Sequence, residues 1–150
     1  SQINSDDKFD FWIMELTKKL EYNVNKNVDS LELSKIPEII LKYIDVLTNT
    51  WIKFSRDRLK STDNPKDLFN SINTLYYILL KVNQILSPFI PFNSDFLYNY
   101  LKWIKGELND FTSIHILLNE PSTIYDDSII ESVENVYQIV EIIRFARQEI

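Results

Sequence analysis

Four cations, Lys53, Arg56, Arg58 and Lys60, crowd the end of the stretch Leu47–Lys60, and side chains of this type at this density suit phosphate contact, a solvated face beside the negative helix C-terminus being the alternative. Against Asp57 they give Trp51–Lys60 a net charge of +3, inside a chain whose net charge is −6. A chain this acidic does not grip nucleic acid by bulk charge, so any polyanion site must be local. Trp103, between Lys102 and Lys105, offers an aromatic face beside cations, which suits a ligand-facing surface; packing against the last helix is the alternative.

Other chemistries find little support. His115 is the single histidine, with Ser113 two residues away on the same side of an extended segment. Nothing nearby would orient the imidazole, so the pair reads as structural rather than nucleophilic. With no cysteine and one histidine, neither a thiolate nor a histidine-rich metal site can be built. No glycine-rich loop exists to cradle a nucleotide, since the chain holds a single glycine. The expectation is a chain with no catalytic residue, no metal and no cofactor of its own.

The same glycine shortage argues against sheets joined by tight turns and for helices joined by polar loops. Apolar residues recur at Ile36, Ile40, Tyr43, Leu47, Trp51 and Phe54, which places them on one face of a helix. Lys35, Glu38, Lys42, Asp45, Asn49, Lys53, Arg56 and Lys60 form the opposite stripe, basic in its second half. This helix is predicted from Ser34 as N-cap to about Lys60, with Pro37 in the first turn. Trp51, Tyr43 and Phe54 then hold the core while the cations face solvent.

An earlier helix starts at Lys8, capped by Asp6 and Asp7, buries Phe9, Trp12, Ile13, Leu16 and Leu20, and frays by Asn25–Asn27. A third carries Leu68, Ile72, Leu75, Leu79, Val82 and Leu86 inward, widened by Tyr76 and Leu80. Pro88 and Pro91 predict an extended corner, after which Asn93 caps a fourth helix with Phe96, Leu97, Tyr100, Leu101 and Ile104 inward and Gly106 as its stop. Residues 112–118 are the one β-leaning piece. The last helix runs from about Asp127 with Ile129, Val133, Val136, Val140 and Ile143 in stride, and reaches Ile150 in mid-stripe, as in a fragment of something larger.

The prediction is an all-α bundle of about five helices forming one domain over residues 1–150, with a short extended segment near 112–118. No apolar run approaches the ~20 residues of a membrane span. The N-terminus lacks the pattern of a signal peptide, which fits a cytoplasmic setting.

Several motifs resemble one family. Leu47-Thr48-Asn49-Thr50-Trp51 through Arg56-Asp57-Arg58-Leu59-Lys60 is similar to the Leu-Thr-Asn-Trp…Arg-Arg-Arg-Leu-Lys helix end of class I isoleucyl-tRNA synthetases, and Lys35-Ile36-Pro37 looks like the eukaryotic cytosolic form. Ser87-Pro88-Phe89-Ile90-Pro91-Phe92 resembles their proline corner, which the valyl and leucyl enzymes share. Asp10-Phe11-Trp12-Ile13, Ser113-Ile114-His115 and Arg144-Phe145-Ala146-Arg147 follow in family order, and Ser-Ile-His tips the choice to isoleucine. The sequence departs at Phe11, Thr50 and Asp57, where the family carries arginine, tryptophan and arginine.

The resemblance implies an anticodon-binding domain that holds the anticodon stem and loop of tRNA. ATP and Mg would be used by the full-length ligase, and the catalytic and editing domains of the same chain would be its neighbours. Its candidate tRNA contacts are Lys53, Arg56, Arg58 and Lys60, with Asn49 and Trp103 at bases. A valyl or leucyl homologue, or a helical protein-interaction module using the acidic face, are the alternatives.

Overall fold

The computed structural model describes residues 7–105 and 124–148, and within them the protein is all-α. The expected extended segment at 112–118, Gly106, Ser113 and His115 lie outside the described residues.

Helix α1 (Lys8–Asp29) is the axis of the bundle and packs on α2, α4 and α6. Asp7 caps it, its carboxylate accepting the Phe9 N–H at 2.8 Å. The polar run at Asn25–Asn27 does not fray the helix, which continues two residues further because Asn27 donates its side-chain amide back to the Asn23 carbonyl at 2.7 Å. A Schellman arrangement then ends it: Glu32 N–H reaches the Asn27 carbonyl at 2.8 Å and Leu31 N–H reaches Val28 at 3.0 Å. This geometry puts Leu31 at φ 59°, the left-handed region that glycine normally fills. Leu31 is 84% exposed, so its side chain returns little packing. Replacing it by glycine is expected to raise stability by about 1 kcal/mol, the left-handed penalty of a leucine net of glycine's extra chain entropy. The midpoint of urea unfolding checks this, and an unchanged or lower midpoint would contradict it.

The long second helix is not one uniform α-helix. A 3₁₀ turn (Leu33–Lys35) takes up Ser34, which makes no cap, and leads into α2 (Ile36–Val46) with Pro37 in its first turn. A π-helical turn follows at Leu47–Ile52, then a last α turn, α3 (Lys53–Ser55), after which residues 56–60 form turns. The spacing explains the wide turn. Tyr43, Leu47 and Trp51 are separated by four and four, a stride that drifts around an ideal α-helix and that a wider turn brings back to one face. Tyr43, Leu47 and Trp51 are all buried, Trp51 completely. Phe54 departs from expectation: it is 48% exposed and meets Phe9 edge-on at 6.1 Å.

Helix α4 (Pro65–Leu86) is capped by Asn64, whose side chain accepts the Asp67 N–H, and Pro65 sits where a missing N–H costs least. Its buried line is Ser71, Thr74, Ile78 and Ile85, whereas Ile72 and Leu79, expected inside, are 47% and 40% exposed. The small side chains let neighbouring backbones approach closely, and that decides which face turns in.

The corner is also tighter than the prolines suggest. Ser87 is in right-handed α geometry, Phe89 and Ile90 N–H both reach the Leu86 carbonyl, and α5 (Pro91–Lys105) begins with Pro91 in its first turn, not at Asn93. Helix α5 packs on α4 through Ser94, Tyr98, Leu101 and Lys102, with Asn83 donating to the Ser94 carbonyl at 2.8 Å. Phe96, Leu97, Tyr100 and Ile104, expected inside, are exposed.

Helix α6 (Asp127–Gln148) closes the bundle against α1 through Ile130, with Ile129 and Val133 half-buried beside it. Glu15, buried on α1, accepts the Asp126 N–H at 2.8 Å and fixes where α6 starts. The expected stripe does not stay inside: Val136 and Ile143 are exposed. The core joins Trp12, Ile13, Leu20 and Val24 of α1 to Ile36, Ile40, Tyr43, Leu47, Trp51, Ile78, Ile85 and Ile130.

Candidate nucleic-acid interface

The basic segment leaves the core at Trp51 and turns through residues 53–60. Lys53, Arg56 and Lys60 are exposed, and among the described residues no ion pair engages any of them. Three exposed cations, Lys53 on α3 and Arg56 and Lys60 on the turn after it, present positive potential to a polyanion with no described salt bridge to break. Asp57 is exposed on the same turn, and among the described residues no ion pair engages it either.

Arg58 faces the other way. Its guanidinium donates through Nη1 and Nη2 to both oxygens of Asp10, at 3.0 and 2.9 Å. Through Nε and Nη2 it donates to Asp67 at 3.0 and 2.7 Å, and Nη1 lies 2.9 Å from Asp7. Asp10 is fully buried and also accepts the Trp51 indole N–H at 3.1 Å. Hydrogen bonds to Asp10 and then Asp67 hold the Arg58 proton more tightly than usual. The hydrogen bond from Arg58 holds the Asp67 carboxyl below the ordinary carboxylate range. Arg58, expected among the solvent-facing cations, is therefore committed to three carboxylates.

The apolar stride of the second helix contains the signal for this. Continuing Trp51 and Phe54 by four residues lands on Arg58, so the spacing that marks the core face includes it.

Asn49 is exposed in the π turn, its side-chain N–H donating to Asp45 at 2.6 Å. Trp103 is 58% exposed on α5, tilted against Tyr100 at 5.7 Å, so it does not pack into the bundle. Its neighbour Lys102 is buried with its ammonium 5.2 Å above the Tyr98 ring, and so does not flank Trp103 on the surface. Helix α5 is joined to the bundle mainly through α4, so Trp103 belongs to a different surface element from the basic turn.

Beside the turn, Phe9, Thr50, Phe54, Val133, Tyr137 and Val140 line an apolar groove of about 450 Å³. Among the described residues no group of three His, Cys, Asp or Glu side chains could hold a metal ion. No described helix is long and apolar enough to cross a membrane.

Among the described residues the all-α bundle turns Lys53, Arg56 and Lys60 outward, and the comparisons give this bundle a family. The chain belongs to the family described as the anticodon-binding domain of tRNA ligase, which matches residues 10–150. Its relatives include a cytoplasmic isoleucine–tRNA ligase of Arabidopsis thaliana, 31% identical over 97% of this chain, and one of Schizosaccharomyces pombe, 28% identical over 97%. An isoleucine–tRNA ligase of Clostridium tetani is 30% identical over 97% of the chain. The chain spans only 12–14% of the length of these curated relatives.

Proposed function

We propose that this chain is the tRNA-binding domain of an isoleucine–tRNA ligase and that it holds the anticodon stem and loop while chemistry proceeds elsewhere in a longer protein. The observation that carries the reading is the outward set Lys53, Arg56 and Lys60, on α3 and the turn after it and without an ion pair among the described residues, in a domain of this family. These three are the phosphate contacts. Arg58 leaves that set because its donors are committed inward. Asn49, exposed in the π turn, and Trp103, through its exposed ring, are the base contacts.

The longer protein would join isoleucine to its tRNA with ATP and Mg and would work in the cytoplasm. Its catalytic and editing domains would be the immediate neighbours of the bundle. The exposed Phe92 and Phe96 of α5 support such a neighbour, since apolar surface of that size on one helix is stabilised by cover.

Neutralising Lys53 and Arg56 together to glutamine is expected to weaken binding of an isoleucine tRNA. It should also lower the slope of log affinity against log salt by about two, roughly 0.9 per lost phosphate contact. Titration of the labelled tRNA at several salt concentrations reads both quantities. An unchanged slope removes the turn from the interface. A valyl or leucyl identity, the nearest rival, predicts equal binding of the corresponding tRNA in the same titration.

A further inference from the structure

Arg58 stands where three helix ends meet. It grips Asp7 and Asp10 at the start of α1, Asp67 in the first turn of α4, and, through the shared carboxylate of Asp10, the indole of Trp51 in the π turn. Of residues 56–60, only Arg58 and Leu59 turn inward, while Arg56, Asp57 and Lys60 are exposed. The backbone between them closes on itself, with Leu59 N–H to the Ser55 carbonyl at 2.9 Å and Ser61 N–H to Asp57 at 2.9 Å. The direction in which Arg56 and Lys60 point is thus set by how Arg58 is anchored, and the direction of Lys53 by Trp51 two residues before it.

We infer that Asp10 and Asp67 are positioning residues for RNA binding: acting through Arg58, these carboxylates orient the turn that presents Arg56 and Lys60 to the tRNA backbone beside Lys53. The inference rests on the tRNA-binding reading above and adds a sign to it. A carboxylate near an anion-binding surface ordinarily weakens binding, and removing it strengthens binding. Here removal of Asp67 weakens binding, because an Arg58 released from its fork lets the turn move and misplaces cations whose value depends on geometry. Asp57 supplies the contrast, being on the same turn but outside the Arg58 cluster.

The test compares Asp67→Asn, Arg58→Lys, Asp57→Asn and the Lys53→Gln/Arg56→Gln pair in the 150-residue chain. The probe is an isoleucine tRNA transcript, and the temperature is one at which circular dichroism shows each variant folded. Asp67→Asn and Arg58→Lys are expected to bind about threefold or more weakly with a salt slope lower by about one, the loss expected for one displaced phosphate contact. Asp57→Asn is expected to bind more tightly than the parent. Arg58→Lys keeps the charge, so undiminished affinity there means charge rather than orientation matters, and the inference is overturned. Tighter binding by Asp67→Asn overturns it equally, and that variant remains readable if Arg58→Lys does not fold, because the Asp67 side chain is 36% exposed. If the Lys53→Gln/Arg56→Gln pair leaves the slope unchanged, the tRNA-binding reading itself fails. If that pair weakens binding while Asp67→Asn does not, only the positioning role fails.

Discussion

Trp51→Ala is expected to destabilise the protein by about 3–5 kcal/mol, the range for truncating a fully buried tryptophan. Trp51 has no exposed surface, and it sits in the π turn at the point where α1 and the second helix share one core. The indole also donates its N–H to Asp10 at 3.1 Å, so the substitution removes a hydrogen bond to a buried carboxylate as well as a ring. Against a total stability of about 5–15 kcal/mol for a domain, that is a large fraction. Trp51→Phe keeps most of the apolar volume and should cost about 1.5–3 kcal/mol, the value of a hydrogen bond to a charged group. The urea midpoints of the two variants, with slopes unchanged from the parent, separate the packing and hydrogen-bond contributions. If Trp51→Ala lost under about 1 kcal/mol, the π turn would not be the keystone that its burial implies.

The helices themselves were legible because their signals are local. Asp7 before Lys8, Pro37 and Pro65 in first turns, and Asp127 at the head of the last helix each mark a start through their own backbone chemistry. Which face turned inward was legible only where one face was clearly more apolar. Helix α1 met that condition, and Trp12, Ile13 and Leu20 are buried as its pattern requires. Helices α4 and α5 are apolar on more than one face. Their choice was made by Ser71, Thr74 and Ser94, small residues that a search for hydrophobic stride passes over. The corner misled for a related reason. Proline restricts its predecessor, yet Ser87 takes right-handed geometry before Pro88 because the turn is closed by hydrogen bonds to Leu86 and Gln84.

The site was half legible on the same logic. Composition found the basic turn, since charge is visible without a fold. Composition could not separate Arg58 from Arg56, because the difference is direction, and direction depends on carboxylates 48 positions upstream and nine downstream. Only the stride, carried past Phe54, contained that information.

Arg58→Ala is expected to be the most damaging single change to a charged residue among the described residues. It takes both Arg58 hydrogen bonds from Asp10, which has no exposed surface, and breaking a buried ion pair in this way costs about 3–5 kcal/mol. Asp10→Ala should cost less, because Arg58 keeps Asp7 and Asp67 and retains some contact with water. Asp67→Ala should cost least, since its partly exposed side chain places it near the surface range of at most about 1 kcal/mol. The order therefore follows burial of the group left behind, not the number of bonds removed.

The pH dependence gives a second check with a definite sign. Arg58 lowers the Asp67 pKa in the folded state, so the stability that this pair contributes is present above the unfolded carboxylate value of about 3.9 and is lost as pH falls through the lower folded value. The gap in melting temperature between the parent and Asp67→Ala should accordingly be constant from neutral pH down to about pH 5 and should shrink below about pH 4. A gap that widened on acidification would mean that the cluster strains the fold rather than holding it. Thermal melts of the parent and Asp67→Ala across that range read the gap directly.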